Sequence, residues 1–215
     1  MTARSLSQMK SKIRVVIVMK EMKMTTDMPP DQVILVDQND QPIGEMDKVE
    51  AHRGDAQRHR AISVFLFNAK GELLIQQRSQ QKIVGAGQWV NTCCGNVRPG
   101  ESYQDCAYRR LREELGIKNV TLRELHKFEY HTKCNDEFSE WEIDTIFVGD
   151  YDEEVHPNPE EVAAVAWKDV STLLVEVDTD QQNALTHRTY APWLPLLIEQ
   201  RPVLELLTEK KNKHI

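Results

Sequence analysis

The sequence predicts an α/β fold in which mixed β-sheets are sandwiched between helices. Three observations carry this reading. Two early stretches place apolar runs on either side of a turn. A charged, periodic segment in the middle has the spacing of a helix. Two long alternating segments follow it, and the chain ends on helical patterns.

Each element has a local reason. "QVILVDQNDQPIGEM" has an apolar run, an Asn39-Asp40 turn and a return, so it predicts a hairpin. "AISVFLFNAKGELLIQQR" repeats the pattern with Asn68–Gly71 as its turn. Residues 102–116 predict a helix: Glu101 and Ser102 stand at its start, Gly116 follows its last turn, and Asp105, Arg109 and Glu113 are spaced four apart. "HKFEYHTKC" and "EWEIDTIFVGDY" alternate as two antiparallel strands, and "EEVAAVAWKDV" predicts a strand leading into a helix. The "YAPWLPLLIEQRPVLELL" segment is helical, with Pro195 and Pro202 limiting or kinking it.

A chain of 215 residues suits a single domain. We expect residues 1–28 to be a disordered tail, 29–208 one catalytic domain, and 209–215 a frayed end. The apolar run "VVIVM" is shorter than a secretory core or a membrane span, so no membrane partner is expected. Four cysteines (93, 94, 106 and 134) make no disulfide scaffold, which favours a reducing, cytoplasmic setting. A net charge of −7 argues against non-specific nucleic-acid binding, though local basic groups still permit an anionic small substrate. The oligomeric state is left open.

The most specific motif is "GNVRPGESYQDCAYRRLREELGI". Gly95, Glu101, Arg109, Leu111, Glu113, Glu114, Gly116 and Ile117 sit where the Nudix box has its glycines, glutamates, arginine and aliphatic residues. The segment resembles that box throughout except at Arg110, where the hydrolases carry glutamate. Such a loop–helix presents carboxylates to a divalent cation bound to a diphosphate. The resemblance implies a Nudix fold.

Four further segments resemble one branch, the type I isopentenyl-diphosphate isomerases. They are "KVEAHRGDAQRHRA" with His52 and His59, "WVNTCCG", "FEYHTKCNDEFSEWE", and "YAPWLP". Glu140 and Glu142 lie two apart on a predicted strand and share a face, while Trp141, Ile143 and Phe147 take the other. Alone, those glutamates read as a solvated face of an antiparallel strand rather than a site. Together, two histidines and two carboxylates form a mixed nitrogen and oxygen set suited to Zn2+ or Mn2+.

The resemblance implies a third histidine ligand, but this chain has Asn96 there, and Val97 in place of the following proline. It also implies that Mg2+ is bound by Glu114 with the diphosphate and the cysteine's backbone carbonyl. Lys48, Arg78, Lys82 and Arg110 match the diphosphate-binding positions. The functional cysteine stands immediately before the glycine, which is Cys94; strand alternation turns Cys93 away into packing. Glu142 is implied as the opposing acid or base, assisted by Tyr130, with Trp193 offering a π face to a cationic intermediate.

The implied reaction moves a double bond in a five-carbon diphosphate, which needs one proton added and another removed. The alternative is a Nudix hydrolase of a nucleotide or other diphosphate, kept open by the Glu113–Glu114 pair. A silent binding module on the same fold is the third reading. Arg110, Cys94 and the Glu140/Glu142 pair favour the isomerase over the hydrolase.

Overall fold

The computed structural model describes residues 32–183 and 188–212; the expected tail over 1–28 and the last three residues of the expected frayed end lie outside these. Strands β1 (Gln32–Val36) and β2 (Pro42–Asp47) form the first hairpin. The Asp37 carboxylate stabilises its turn by accepting from the Asn39 and Gln41 amides at 2.8 and 2.9 Å. Helix α1 (Lys48–His52) follows, capped by Asp47. Its five residues are too few to leave a periodic trace in the sequence, yet they place Lys48 and His52 on the site.

Strands β3 (His59–Phe67) and β4 (Leu73–Arg78) share the predicted turn, but their register joins only Phe67 to Leu73. They then part. β3 takes β6 (Cys93–Asn96) as an antiparallel partner and β8 (Ser139–Asp150) as a parallel one. β4 takes β5 (Trp89–Val90) and β9 (Val162–Lys168). β7 (Arg123–Lys133) pairs with β8 as expected. The parallel pairing of β3 with β8 makes the sheet mixed.

Helix α2 (Tyr103–Leu115) has Ser102 as its N-cap and Gly116 as its C-cap. Gly116 takes φ 69°, a left-handed conformation that side chains resist. After α3 (Val170–Gln182) come α4 (Trp193–Ile198) and α5 (Arg201–Asn212). The helical segment divides into α4 and α5, and Pro195 and Pro202 each stand near a helix start. Each lies in a first turn, where its missing N–H has no intrahelical partner to lose. Residues 209–212, expected to fray, continue α5: Lys210 pairs with Asp150 at 2.6 Å and lies over the Phe67 ring at 4.7 Å.

β3 shows why the sheet has a helix layer on either side. Ile62, Val64 and Leu66 point to α2 and join a core with Cys93, Leu111 and Leu115. Phe65 and Phe67 point the opposite way, into a core with Leu173, Leu194, Leu197 and Val203 from α3 to α5. His59 and Ser63 share the second face. So does Cys94, which stands opposite Ser63. The site is therefore built on the α4 side of the sheet, with α2 behind it.

Candidate active site

A cavity of about 630 Å3 opens beside β6. Every side chain expected to act in catalysis, diphosphate binding or metal ligation lines it except His59 and Glu114, which are buried behind its wall. Lys48, Arg78, Lys82 and Arg110 come from α1, the end of β4, the loop after β4, and α2. Gly95 is required at its position, since a Cβ there would stand 2.5 Å from Arg110 Cγ. Arg110 therefore crosses the strand where no other residue would let it pass.

His52, His59, Glu140 and Glu142 each offer a ligand atom, and these atoms lie within 4.8 Å of one another. The register accounts for this, because His59 stands opposite Glu142 on parallel strands. Both imidazoles are oriented from behind. His52 Nδ1 lies 2.6 Å from the Lys48 carbonyl, and His59 Nδ1 lies 2.7 Å from that of Gln57. A carbonyl only accepts, so each Nδ1 carries the proton and each Nε2 faces outward. His52 Nε2 then meets Glu140 Oε2 at 3.0 Å, and His59 Nε2 meets Glu142 Oε1 at 3.4 Å. Lone pairs facing lone pairs need a proton or a metal ion between them. This donor set fits a divalent cation.

Asn96 sits beside these ligands. Its Nδ2 donates to Glu142 Oε1 at 3.0 Å and lies 3.0 Å from His59 Nε2. Turning the amide over would offer its oxygen instead. Val97 uses its N–H to bond the Arg60 carbonyl at 3.0 Å, a bond that proline could not make.

The electrostatics separate the two glutamates. Burial opposes ionisation of both, but His52 holds Glu140 down at about 2. Glu142 is raised, by burial and by the negative charge of Glu140. The Tyr130 hydroxyl donates to Glu142 Oε2 at 2.5 Å. One step further along β8, buried Asp144 accepts from Ser63 Oγ at 2.7 Å, and burial with Glu142 nearby pushes it well up.

Cys94 Sγ lies 3.1 Å from Asn91 Oδ1 and 3.8 Å from Ser63 Oγ. Burial and Asp144 raise its thiol to about 12, so it remains protonated at neutral pH. Cys93 points to the other side of β6, into the α2 core, as expected. Trp193 is buried against the cavity, with Arg78 over its ring at 5.4 Å.

Burial and neighbouring Lys82, Arg110 and Arg78 depress Lys48 to about 8. Glu114 is also buried, but Arg110 and Lys82 hold its carboxyl well below the usual range. Arg110 also reaches Glu113 at 2.7 Å and Glu161 at 3.0 Å, while Arg109 ties Glu101 to Glu113.

Sequence reasoning passed over Glu161, Gln76, Asp144 and Asn91. Asp144 had a signal, since it extends the Glu140–Glu142 alternation by one step. Gln76 had one too, as a polar residue in the apolar run of β4.

The NUDIX domain family matches residues 57–194. The isopentenyl-diphosphate Delta-isomerase of Burkholderia multivorans is 41% identical over 176 residues, covering 81% of this chain and 96% of its own. Isopentenyl-diphosphate Delta-isomerase 2 of Aromatoleum aromaticum is 38% identical over 170 residues, covering 79% and 86%. The chain belongs to the isopentenyl-diphosphate Delta-isomerase family.

Among solved structures, DR0079 from Deinococcus radiodurans is similar in fold, with a TM-score of 0.63 and 21% identity over 79% of this chain and 98% of that one. The MutT protein from Methanosarcina mazei has a TM-score of 0.51 and 18% identity, covering 73% and 94%. Both likenesses concern the Nudix fold alone. No helix among the described residues of this isomerase-family chain is long and apolar enough to cross a membrane.

Proposed function

We infer that this chain converts isopentenyl diphosphate to dimethylallyl diphosphate, a step of isoprenoid biosynthesis. The observation that carries the reading is that one cavity holds the Cys94 thiol, a tyrosine-bound carboxyl and four cationic side chains. The cations suit a diphosphate. The thiol and carboxyl suit a proton added to one carbon and removed from another.

In this reading Cys94 and Glu142 share the two proton transfers, their roles exchanging with reaction direction. Tyr130 holds Glu142 in place through its hydroxyl. Trp193 presents its ring to the tertiary carbocation-like species that protonation creates at C3. Lys48, Arg78, Lys82 and Arg110 hold the diphosphate. His52, His59, Glu140 and Glu142 hold a Mn2+ or Zn2+ ion, with Asn96 as a weak oxygen ligand or a contact through water. Glu114, whose Oε1 faces Lys82 and Arg110, would hold Mg2+ together with the diphosphate. Bound there, the two ions supply positive charge to the Glu142 carboxylate and to the diphosphate.

Hydrolysis of a nucleotide or other diphosphate is the second reading, motivated by Glu113 beside Glu114. Against it, Glu113 Oε2 is committed to Arg109 and Arg110 at 3.0 and 2.7 Å. The test is incubation with isopentenyl diphosphate and with a nucleoside diphosphate panel, scoring dimethylallyl diphosphate against released phosphate. The isomerase reading expects the first product and no phosphate. Phosphate release without isomerisation would reverse the order of the two readings.

A further inference from the structure

Two adjacent cysteines occupy β6, and only Cys94 faces the cavity. Cys93 does more than fill the core behind it. Glu114 is 1% exposed, and its two oxygens have different partners. Oε1 meets Lys82 Nζ at 3.2 Å and is paired with Arg110. Oε2 accepts from the Gln76 amide at 2.8 Å and from the Cys93 thiol at 3.0 Å.

Neither donor has a choice of role. Gln76 Nε2 also donates to the Thr92 carbonyl at 2.8 Å, which fixes the nitrogen end of the amide toward Glu114. Cys93 Sγ faces a carboxylate oxygen, which can only accept. The two donors come from β4 and β6 and meet the same oxygen from different strands. A carboxylate held in this way at one oxygen loses its freedom to rotate both toward the cations. Its second oxygen keeps one direction, toward Lys82 and Arg110.

We propose that Cys93 and Gln76 are positioning residues that grip Oε2 of Glu114 and so present Oε1 to the Mg2+–diphosphate. The inference rests on Glu114 being the Mg2+ carboxylate, as proposed above. The paired cysteines then divide the work between the two faces of one strand. Cys94 serves the carbon end of the substrate from the cavity face. Cys93 serves the phosphate end from the core face, through the helix that carries Glu114.

The test is calorimetric titration of the full chain with inorganic pyrophosphate, with and without Mg2+. Wild type, Cys93→Val, Cys93→Ser and Glu114→Gln are compared. Cys93→Val keeps the volume and removes the donor; Cys93→Ser keeps a donor. Supporting groups behind a metal ligand are typically worth about tenfold or more in metal affinity. The gain in affinity that Mg2+ confers should therefore fall about tenfold in Cys93→Val. It should persist in Cys93→Ser and vanish in Glu114→Gln, and metal-free binding should change little in Cys93→Val. If Cys93→Val does not fold, Cys93→Ala is read in the same way. A wild-type gain in Cys93→Val, with the gain lost in Glu114→Gln, overturns the role of Cys93 alone. Equal losses in the valine and serine variants overturn it too, because packing then explains both. If Glu114→Gln keeps the gain, the assignment of Glu114 fails and this inference with it.

Discussion

Around Glu140 and Glu142 the facing groups are imidazole nitrogens; around Glu114 they are Lys82 and Arg110. Both clusters are buried carboxylates in the wall of one cavity, and they are balanced in opposite ways. The first has two carboxylates and no fixed cation, so it is completed by a proton or a metal ion. The second gathers Lys48, Arg78, Lys82 and Arg110 about Glu114, Glu113 and Glu161, four cations to three carboxylates, so it is completed by an anion. Arg110 is the residue that sets the difference, standing on the Nudix helix where a hydrolase carries another glutamate. In the proposed reading this helix keeps Glu114 as a metal carboxylate and adds, four residues earlier, a guanidinium for the diphosphate.

The largest expected effect comes from breaking the cation-seeking cluster at its shared residue. Glu142→Gln removes a proton-transfer group and a ligand together. Isomerisation should fall by roughly a hundredfold to ten-thousandfold, the usual value of a positioned acid or base, when turnover is measured at saturating substrate and metal. Next is Arg110→Ala, which opens the anion-seeking cluster. Pyrophosphate affinity by calorimetry should drop roughly tenfold or more, as a charge-assisted contact is lost. Arg110→Glu should not improve isomerisation. Unchanged pyrophosphate affinity in the alanine variant would make Arg110 a structural salt-bridge residue.

Asn96→His sharpens the first cluster, because imidazole is a better ligand than an amide. Divalent-metal affinity at the His/Glu site should rise about tenfold, in the range of support residues near metals. A metal titration in which wild type binds no ion and histidine restores none would remove the metal site from the account. The smallest effect concerns Lys48. With its ammonium depressed to about 8 by burial and neighbouring cations, it is charged below that pH and neutral above it. Pyrophosphate affinity should thus weaken as pH rises through about 8, and Lys48→Arg should flatten that profile. An identical slope in both proteins would assign the titration elsewhere.

Local rules made much of this molecule legible. α2 could be delimited from Ser102 and Gly116 because capping is written in residue type. The first hairpin and the β7–β8 pair followed from turns and alternation. What stayed hidden was either short or distant. α1, β5 and β6 have five, two and four residues, too few for a periodic signal. The parallel pairing of β3 with β8 joins residues more than eighty positions apart in sequence, and no local pattern announces it.

The site divides along the same line. Residues within a motif, such as Arg110 and Glu114, could be named from spacing, as could the shared face of Glu140 and Glu142. Contacts that cross elements could not. Cys93 reads as an apolar filler until α2 brings Glu114 over it, and Gln76 reads as a strand residue until it reaches the same oxygen. Glu161 stands just before β9 and meets Lys82 and Arg110 because β9 pairs with β4.

The most direct measurement is to incubate the protein with isopentenyl diphosphate in deuterated water and follow proton, deuterium and phosphorus NMR together. Protonation at C4 and proton loss from C2 should yield dimethylallyl diphosphate with deuterium in a methyl group, both phosphorus signals still those of a diphosphate ester. Cys94→Ala should lose nearly all of this conversion, by at least about a hundredfold, while retaining pyrophosphate affinity. Free phosphate in place of a deuterated product, or conversion by Cys94→Ala at the wild-type rate, would contradict the account.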